Sequence, residues 1–318
     1  MPIEPSRFRP AWWLPGHHLP TLWPSFFRRR PDIPLTRERV ELADGDFLDL
    51  SWCGQRDKPI VMLLHGLEGN LHSHYARPLL KLLSDSGYLA CMMHFRGCSG
   101  EPNRLPRSYH SGDSLELQTI VEHIMQTRQR PVFAIIGFSL GANVLLKWLG
   151  ERGKQAAVDR AMAVSVPFLL HEAADRLDRG FSRIYQRHLL NSLKQKYRDK
   201  FSRIPSPLDI NLDQIRNFRQ FDEEITAPLH GFSGADDYYH RCSCRRFIPL
   251  IHKPTLILHD RNDPFMWPHT VPQEKELPED VLLELTNGGG HAGFVCGNSP
   301  ASSDYWAGTR LLHWLTST

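Results

Sequence analysis

The chain has 318 residues, 41% hydrophobic and 23% charged, an ordinary balance for a globular protein with a sizeable core. A formal net charge of +3 is too small to point to nucleic acid, and the one dense basic run, Arg28-Arg29-Arg30, reads as a solvated turn before Pro31. Six scattered cysteines with no Cys-x-x-Cys pair rule out zinc-finger spacing and make reduced thiols in a cytoplasmic protein the expectation.

Charges at Glu4, Arg7 and Arg9 do not suit a signal peptide, and no window reaches the ~20 apolar residues of a membrane span. Residues 12–27 are aromatic but interrupted by Pro15, Pro20 and Pro24. Proline at that density argues against a helix, so residues 1–38 are expected as an extended arm packed on the main domain. Its aromatic side chains also suit a weak contact with a membrane surface.

Residues 39–52 alternate apolar and polar around Asp44-Gly45, the pattern of a β-hairpin. Ile60-Val61-Met62-Leu63-Leu64 is wholly apolar and ends at His65-Gly66, as a buried parallel strand entering a loop would. A helix over 78–83, a strand over 88–93, a helix over 114–127, a strand over 132–136, a helix over 142–149 and a strand over 161–166 follow. Residues 168–247 lack a strand pattern and are charged, helix-forming and broken by Pro205, Pro207 and Pro228. Strands over 255–259 and 281–285 and a helix over 302–315 complete the chain. The alternation specifies an α/β fold with a mostly parallel central sheet flanked by helices. A core of residues 39–167 and 248–318 then carries a helical cap, 168–247, between its sixth and seventh strands. In the cap, Asp236-Asp237 suits the start of a helix, and Phe168, Leu169, Leu170, Phe181 and Ile184 suit apolar positions facing core or ligand.

Val132-Phe133-Ala134-Ile135-Ile136 runs into Gly137-Phe138-Ser139-Leu140-Gly141, with a helix pattern at once behind it. This is G-x-S-x-G in the strand, sharp turn, helix context that gives the motif meaning. The turn strains the serine backbone, and the glycines two residues away avoid side-chain clashes. A serine hydroxyl needs a base, and the base an orienting acid, expected in the order Ser, Asp or Glu, His. Asp260 and Asp263 compete in the loop after the strand over 255–259. Asp263 is preferred because it stands further into the loop. His291 follows the last strand within Gly288-Gly289-Gly290-His291-Ala292-Gly293 and is the candidate base. The oxyanion of acyl transfer would take N–H donors from Leu140, after the nucleophile, and from Leu67 in His65-Gly66-Leu67-Glu68-Gly69.

Several blocks together resemble the YheT-like branch of the α/β hydrolases. They are His65-Gly66-Leu67-Glu68-Gly69 with His72-Ser73-His74-Tyr75, His94-Phe95-Arg96-Gly97-Cys98-Ser99-Gly100, Gly137-Phe138-Ser139-Leu140-Gly141-Ala142-Asn143, Asn262-Asp263-Pro264-Phe265 and Gly290-His291-Ala292-Gly293-Phe294. Trp13-Leu14-Pro15-Gly16-His17-His18-Leu19 is similar to the family's opening, so the resemblance spans the chain. It implies esterase action on acyl esters, with eukaryotic members acting on glycerolipids or phospholipids, and a triad of Ser139, Asp263 and His291. Ala142 departs from a glycine common there, and alanine favours the helix. The expected activity is a serine carboxylesterase for short- to medium-chain esters, without cofactor or metal. A thioesterase, acylglycerol lipase or amidase with the same residues, and a lipid-binding protein with a silent site, are the alternatives. The Arg96-Gly97-Cys98-Ser99-Gly100 loop lacks the Gly-Lys-Ser/Thr ending of a nucleotide loop and is expected to be structural or pocket-lining. His72 and His74 lack a third metal ligand.

Overall fold

The computed structural model describes residues 2–317. A nine-stranded sheet runs in the order β1-β9-β8-β7-β6-β4-β5-β3-β2. The strands are β1 (Ile3–Pro5), β2 (Thr36–Glu41), β3 (Phe47–Cys53), β4 (Ile60–Leu64), β5 (Leu89–His94), β6 (Val132–Phe138), β7 (Val158–Val164), β8 (Thr255–Asp260) and β9 (Val281–Thr286). From β1 to β5 along the sheet every pairing is parallel, and only the hairpin β2–β3 runs against its neighbours. Strand β4 shows why its sequence is continuously apolar. Ile60, Met62 and Leu64 pack into the core on one face of the sheet and Val61 and Leu63 into the core on the other.

Helices α2 (Ala76–Asp85), α3 (Ser114–Arg128), α4 (Leu140–Arg152) and α10 (Trp306–Thr316) cover the sheet. Helix α4 is buried along almost its whole length because it lies between the sheet and the residues returning from the cap. Asn143 on α4 locks that return. Its Nδ2 donates to Ser111 O and Cys242 O, and its Oδ1 accepts the Cys244 N–H.

The N-terminal segment departs from expectation twice. Ile3–Pro5 forms β1, pairing in parallel with β9, so the inserted helices fall between the seventh and eighth strands of the chain. The aromatic stretch contains a helix, α1 (His18–Phe27), rather than an extended arm. Pro20 is tolerated because it is the third helical residue, where an N–H has no intrahelical acceptor. Only Pro24 removes a helical hydrogen bond. Burial of Pro20, Thr21 and Pro24 against the core compensates for it.

The inserted segment carries α5 (Leu170–Leu177), α6 (Ser182–Phe201), α7 (Phe218–Phe221), a π-helical turn (Asp222–Thr226), α8 (Ala227–His230) and α9 (Ala235–Cys242). Asp236 and Asp237 lie in the first turn of α9, where carboxylates meet the positive end of the helix. Phe168 belongs to the main core. Phe181 and Ile184 are 46% and 56% exposed, contrary to the inward-facing role expected of them. They stand where α6 begins. The Arg96 loop is structural: the buried guanidinium meets Asp44 and Asp46 at 2.7 Å and Glu116 at 2.5 Å, leaving no free charge for a phosphate.

Candidate active site

Ser139 joins β6 to α4 with φ 51° and ψ −117°, a conformation L residues avoid. The two flanking glycines are steric necessities. A Cβ on Gly137 would stand 2.6 Å from Ala142 Cα, and one on Gly141 2.6 Å from the carbonyl oxygens of Leu64 and His65. Among the described residues, five of the six non-glycine residues with positive φ surround this turn: Glu68, Ser139, Ser165, Ala292 and Phe294. Backbone strain of this kind survives only where surrounding contacts over-determine it.

The three residues expected to act together are brought together. His291 Nε2 lies 3.0 Å from Ser139 Oγ, and His291 Nδ1 2.8 Å from Asp263 Oδ2. Burial pushes the Asp263 carboxyl up, but the electrostatic pull of the imidazole of His291 and its hydrogen bond outweigh burial and hold it below the usual range. An ionised Asp263 only accepts, so His291 carries its proton on Nδ1 and turns the lone pair of Nε2 to the serine hydroxyl.

Asp260 has a different partner set. Its Oδ2 accepts from Thr286 Oγ1 at 2.7 Å and from the Gly289 N–H at 2.6 Å, and its Oδ1 from the Asn262 N–H at 3.0 Å. It therefore anchors the loop that bears His291 rather than the imidazole.

Three more side chains fix that histidine, and no local sequence signal singles them out for it. The His291 N–H donates to Thr21 Oγ1 of α1 at 2.9 Å, and the Ala292 N–H donates to Ser165 Oγ, also at 2.9 Å. Phe265 stacks flat on the imidazole, ring centroids 3.9 Å apart and planes 3° from parallel. The glycines beside His291 admit α1: a Cβ on Gly290 would meet Thr21 Oγ1 at 2.5 Å, and one on Gly293 would meet Pro20 O at 2.1 Å. Loop flexibility is thus not their purpose.

Leu67 and Leu140 flank the same spot. Leu140 is the first residue of α4, where helix geometry leaves the N–H unpaired. Among the described residues, neither its N–H nor that of Leu67 has a protein acceptor. The neighbouring N–H groups are taken, Gly66 by Tyr75 Oη and Glu68 by Tyr109 Oη, each at 2.8 Å. Glu68 Oε1 in turn accepts from Tyr109 Oη and from Lys196 Nζ of α6, each at 2.7 Å, which ties the loop to the cap. His65 shapes the loop from within. Nδ1 donates to Gly66 O and Nε2 accepts the Phe95 N–H, a neutral ring whose pKa burial lowers to about 3. Gly66 brings the loop close to the serine: a Cβ there would stand 3.2 Å from Ser139 Cβ, a tight contact.

A cavity of about 1080 Å³, its open mouth included, rises from Ser139, Leu67 and Leu140 into the cap. Its walls are mainly apolar, with Leu170, Leu177, Leu189, Phe218 and Ile225 among them. Asp222 is a polar exception. It accepts from Thr226 Oγ1 and Tyr239 Oη, and burial pushes its carboxyl up to about 6.

Residues 59–297 match the family model of the alpha/beta hydrolase fold. The chain is 40% identical over 319 residues to YheT of Escherichia coli (strain K12), covering 98% of this chain and 94% of that protein. It is 28% identical to phospholipase ABHD3 of Mus musculus, covering 96% of this chain and 77% of the other. Among solved structures, the Pyrococcus furiosus esterase Pf2001 superposes with a TM-score of 0.57 at 18% identity, covering 89% of this chain and 92% of that one, a likeness of fold. The chain belongs to the α/β-hydrolase family and, within it, to the branch that contains YheT.

Proposed function

We propose that the chain is a serine carboxylesterase that hydrolyses short- to medium-chain acyl esters through Ser139, His291 and Asp263. The observation that carries this reading is the continuous relay from Ser139 Oγ through His291 to Asp263, set under an apolar cavity and beside two unpaired N–H groups. The ester carbonyl carbon is attacked by Ser139 Oγ while His291 Nε2 takes the hydroxyl proton. The alkoxide that forms accepts from the N–H groups of Leu67 and Leu140. Collapse breaks the bond to the alcohol oxygen, which receives the proton from His291 and leaves an acyl-serine. A water molecule then gives its proton to Nε2 and attacks the acyl carbon. The acid departs as the proton returns to Ser139 Oγ. Asp263 keeps the imidazole in the tautomer this sequence needs and stabilises the imidazolium formed at each transfer.

Relatives named as a phospholipase support ester hydrolysis over amide hydrolysis, and the apolar cavity suits an aliphatic acyl chain. Ser139→Ala is expected to lose p-nitrophenyl butyrate hydrolysis by roughly 10⁴-fold or more and all labelling by a fluorophosphonate probe. Wild-type protein that takes up no probe at Ser139, or a variant that retains turnover, sinks the reading. A panel of esters and thioesters of graded length measures the chain preference.

A further inference from the structure

Helix α1 has two apolar faces. Pro20, Thr21 and Pro24 are buried, Pro20 and Thr21 against the loop that carries His291. On the opposite side Leu19 and Phe26, seven residues apart and hence on one stripe, are 45% and 75% exposed, and Phe27, stacked on Trp23 where the helix ends, is 63% exposed. The start of α6 adjoins this helix: the His18 ring lies 4.3 Å from that of Phe181, and His18 Nδ1 lies 3.1 Å from Tyr185 Oη. Phe181 and Ile184, where α6 begins, are exposed as well. Monomeric proteins rarely leave large apolar side chains clustered in water without a partner.

Charge identifies the partner. Residues 5–31 contain five arginines and no Asp or Glu, although the whole chain carries only +3. Of these, Arg29 and Arg30 directly follow α1 and are exposed. Residues 179–198 are likewise free of acidic side chains, and Arg183 and Arg187 are exposed on α6 beside Ile184. Aromatic and leucine side chains rimmed by arginines match a surface with an apolar interior and anionic headgroups. Among the described residues no helix is long and apolar enough to cross a membrane, so such a surface would be met from one side. Leu22, on the same stripe as Leu19 and Phe26, packs like Leu67 and Phe265 against the apolar cluster of the cap, which places this surface beside the cavity.

We propose that α1 and the first turns of α6 form a docking face for an anionic lipid bilayer. Leu19, Phe26, Phe27 and Ile184 enter the boundary between headgroups and acyl chains, and Arg29, Arg30, Arg183 and Arg187 meet the headgroups. Docking in this way would hold the cavity mouth at the lipid surface. It goes beyond the esterase reading and does not depend on it.

The test is flotation of the full chain with vesicles of equimolar phosphatidylglycerol and phosphatidylcholine, and with pure phosphatidylcholine vesicles, at low and high salt. Wild-type protein is expected to float with the anionic vesicles and to be released by salt. Leu19→Ser/Phe26→Ser should weaken partitioning by roughly tenfold or more. Arg29→Gln/Arg30→Gln should weaken it by about fivefold per charge on anionic vesicles only. Both variants should keep wild-type hydrolysis of soluble p-nitrophenyl butyrate and its melting midpoint, which excludes misfolding as the cause. Ser139→Ala should float as wild type does, so that failure of docking and failure of the esterase reading are told apart. Wild type that stays with the soluble fraction, equal binding to both vesicle types, or an apolar variant that floats unchanged overturns the proposal. So does a wild-type dimer in light scattering that Leu19→Ser/Phe26→Ser makes monomeric without any vesicle binding, because the face then belongs to a second copy of the chain.

Discussion

Asp260 ends β8, Asp263 stands three residues on in the loop behind it, and the two serve different parts of the histidine loop. Asp263 meets the imidazole of His291, and Asp260 meets the backbone and hydroxyl that shape the histidine loop. Their substitutions should therefore separate activity from stability. Asp263→Asn keeps the shape but loses the acceptor that sets the tautomer, and kcat is expected to fall by about 10⁴-fold with little change in the urea midpoint. Asp260→Ala leaves two buried donors, Thr286 Oγ1 and the Gly289 N–H, without their carboxylate acceptor, and unfolding free energy is expected to drop by roughly 3 kcal/mol, read by urea titration. The preference for Asp263 was legible because a carboxylate well past a strand end has the reach to meet another loop. The work of Asp260 was not, since two of its partners lie 26 and 29 residues away and no spacing rule links them.

At the scale of elements, the turn from β6 into α4 was the most legible part of the chain. Its constraints are local: a strained serine and two positions where a Cβ would strike backbone. The N-terminal helix was the least legible. Proline counting alone argued for an extended arm, yet proline in a first turn costs no hydrogen bond, and the contacts that stabilise α1 come from residues some 270 positions away. One of those contacts bears on the candidate chemistry. Thr21→Val removes the acceptor of the His291 N–H while keeping the side-chain shape. The expected result is a kcat lowered about tenfold with KM nearly unchanged, because the change misplaces the base without touching the cavity. An unchanged kcat in steady-state kinetics on p-nitrophenyl butyrate would show that Thr21 only packs α1.

The whole molecule buries several histidines in their neutral form, and this shapes its response to acid. Burial lowers the pKa of His65 to about 3 and those of His94 and His259 to about 4, from an ordinary 6.5. Since the folded state binds these protons less readily than the unfolded chain, their contribution to stability is complete above pH 6.5. It is lost progressively as pH falls toward 4 and 3. Unfolding free energies from urea titrations at about pH 7.5 and about pH 5 should differ by roughly 2 kcal/mol for each such histidine, lower at the acid end. Asp222 works the other way, because its raised value favours the folded state below about pH 6, and Asp222→Asn should steepen the acid-side loss. By itself the sequence determined what depends on neighbours along the chain. The alternation of strands and helices, the serine turn and the position of the helical insertion follow from periodicity and from steric rules acting over a few residues, and the resemblance to the family rests on the motif blocks. Only the tertiary structure decided what Asp260 holds, that the N-terminal segment is helical and grips the histidine loop, and which cap side chains face outward. Those outcomes rest on hydrogen bonds and burial between segments far apart in the chain, and such contacts exist only once the sheet has set the distances between loops.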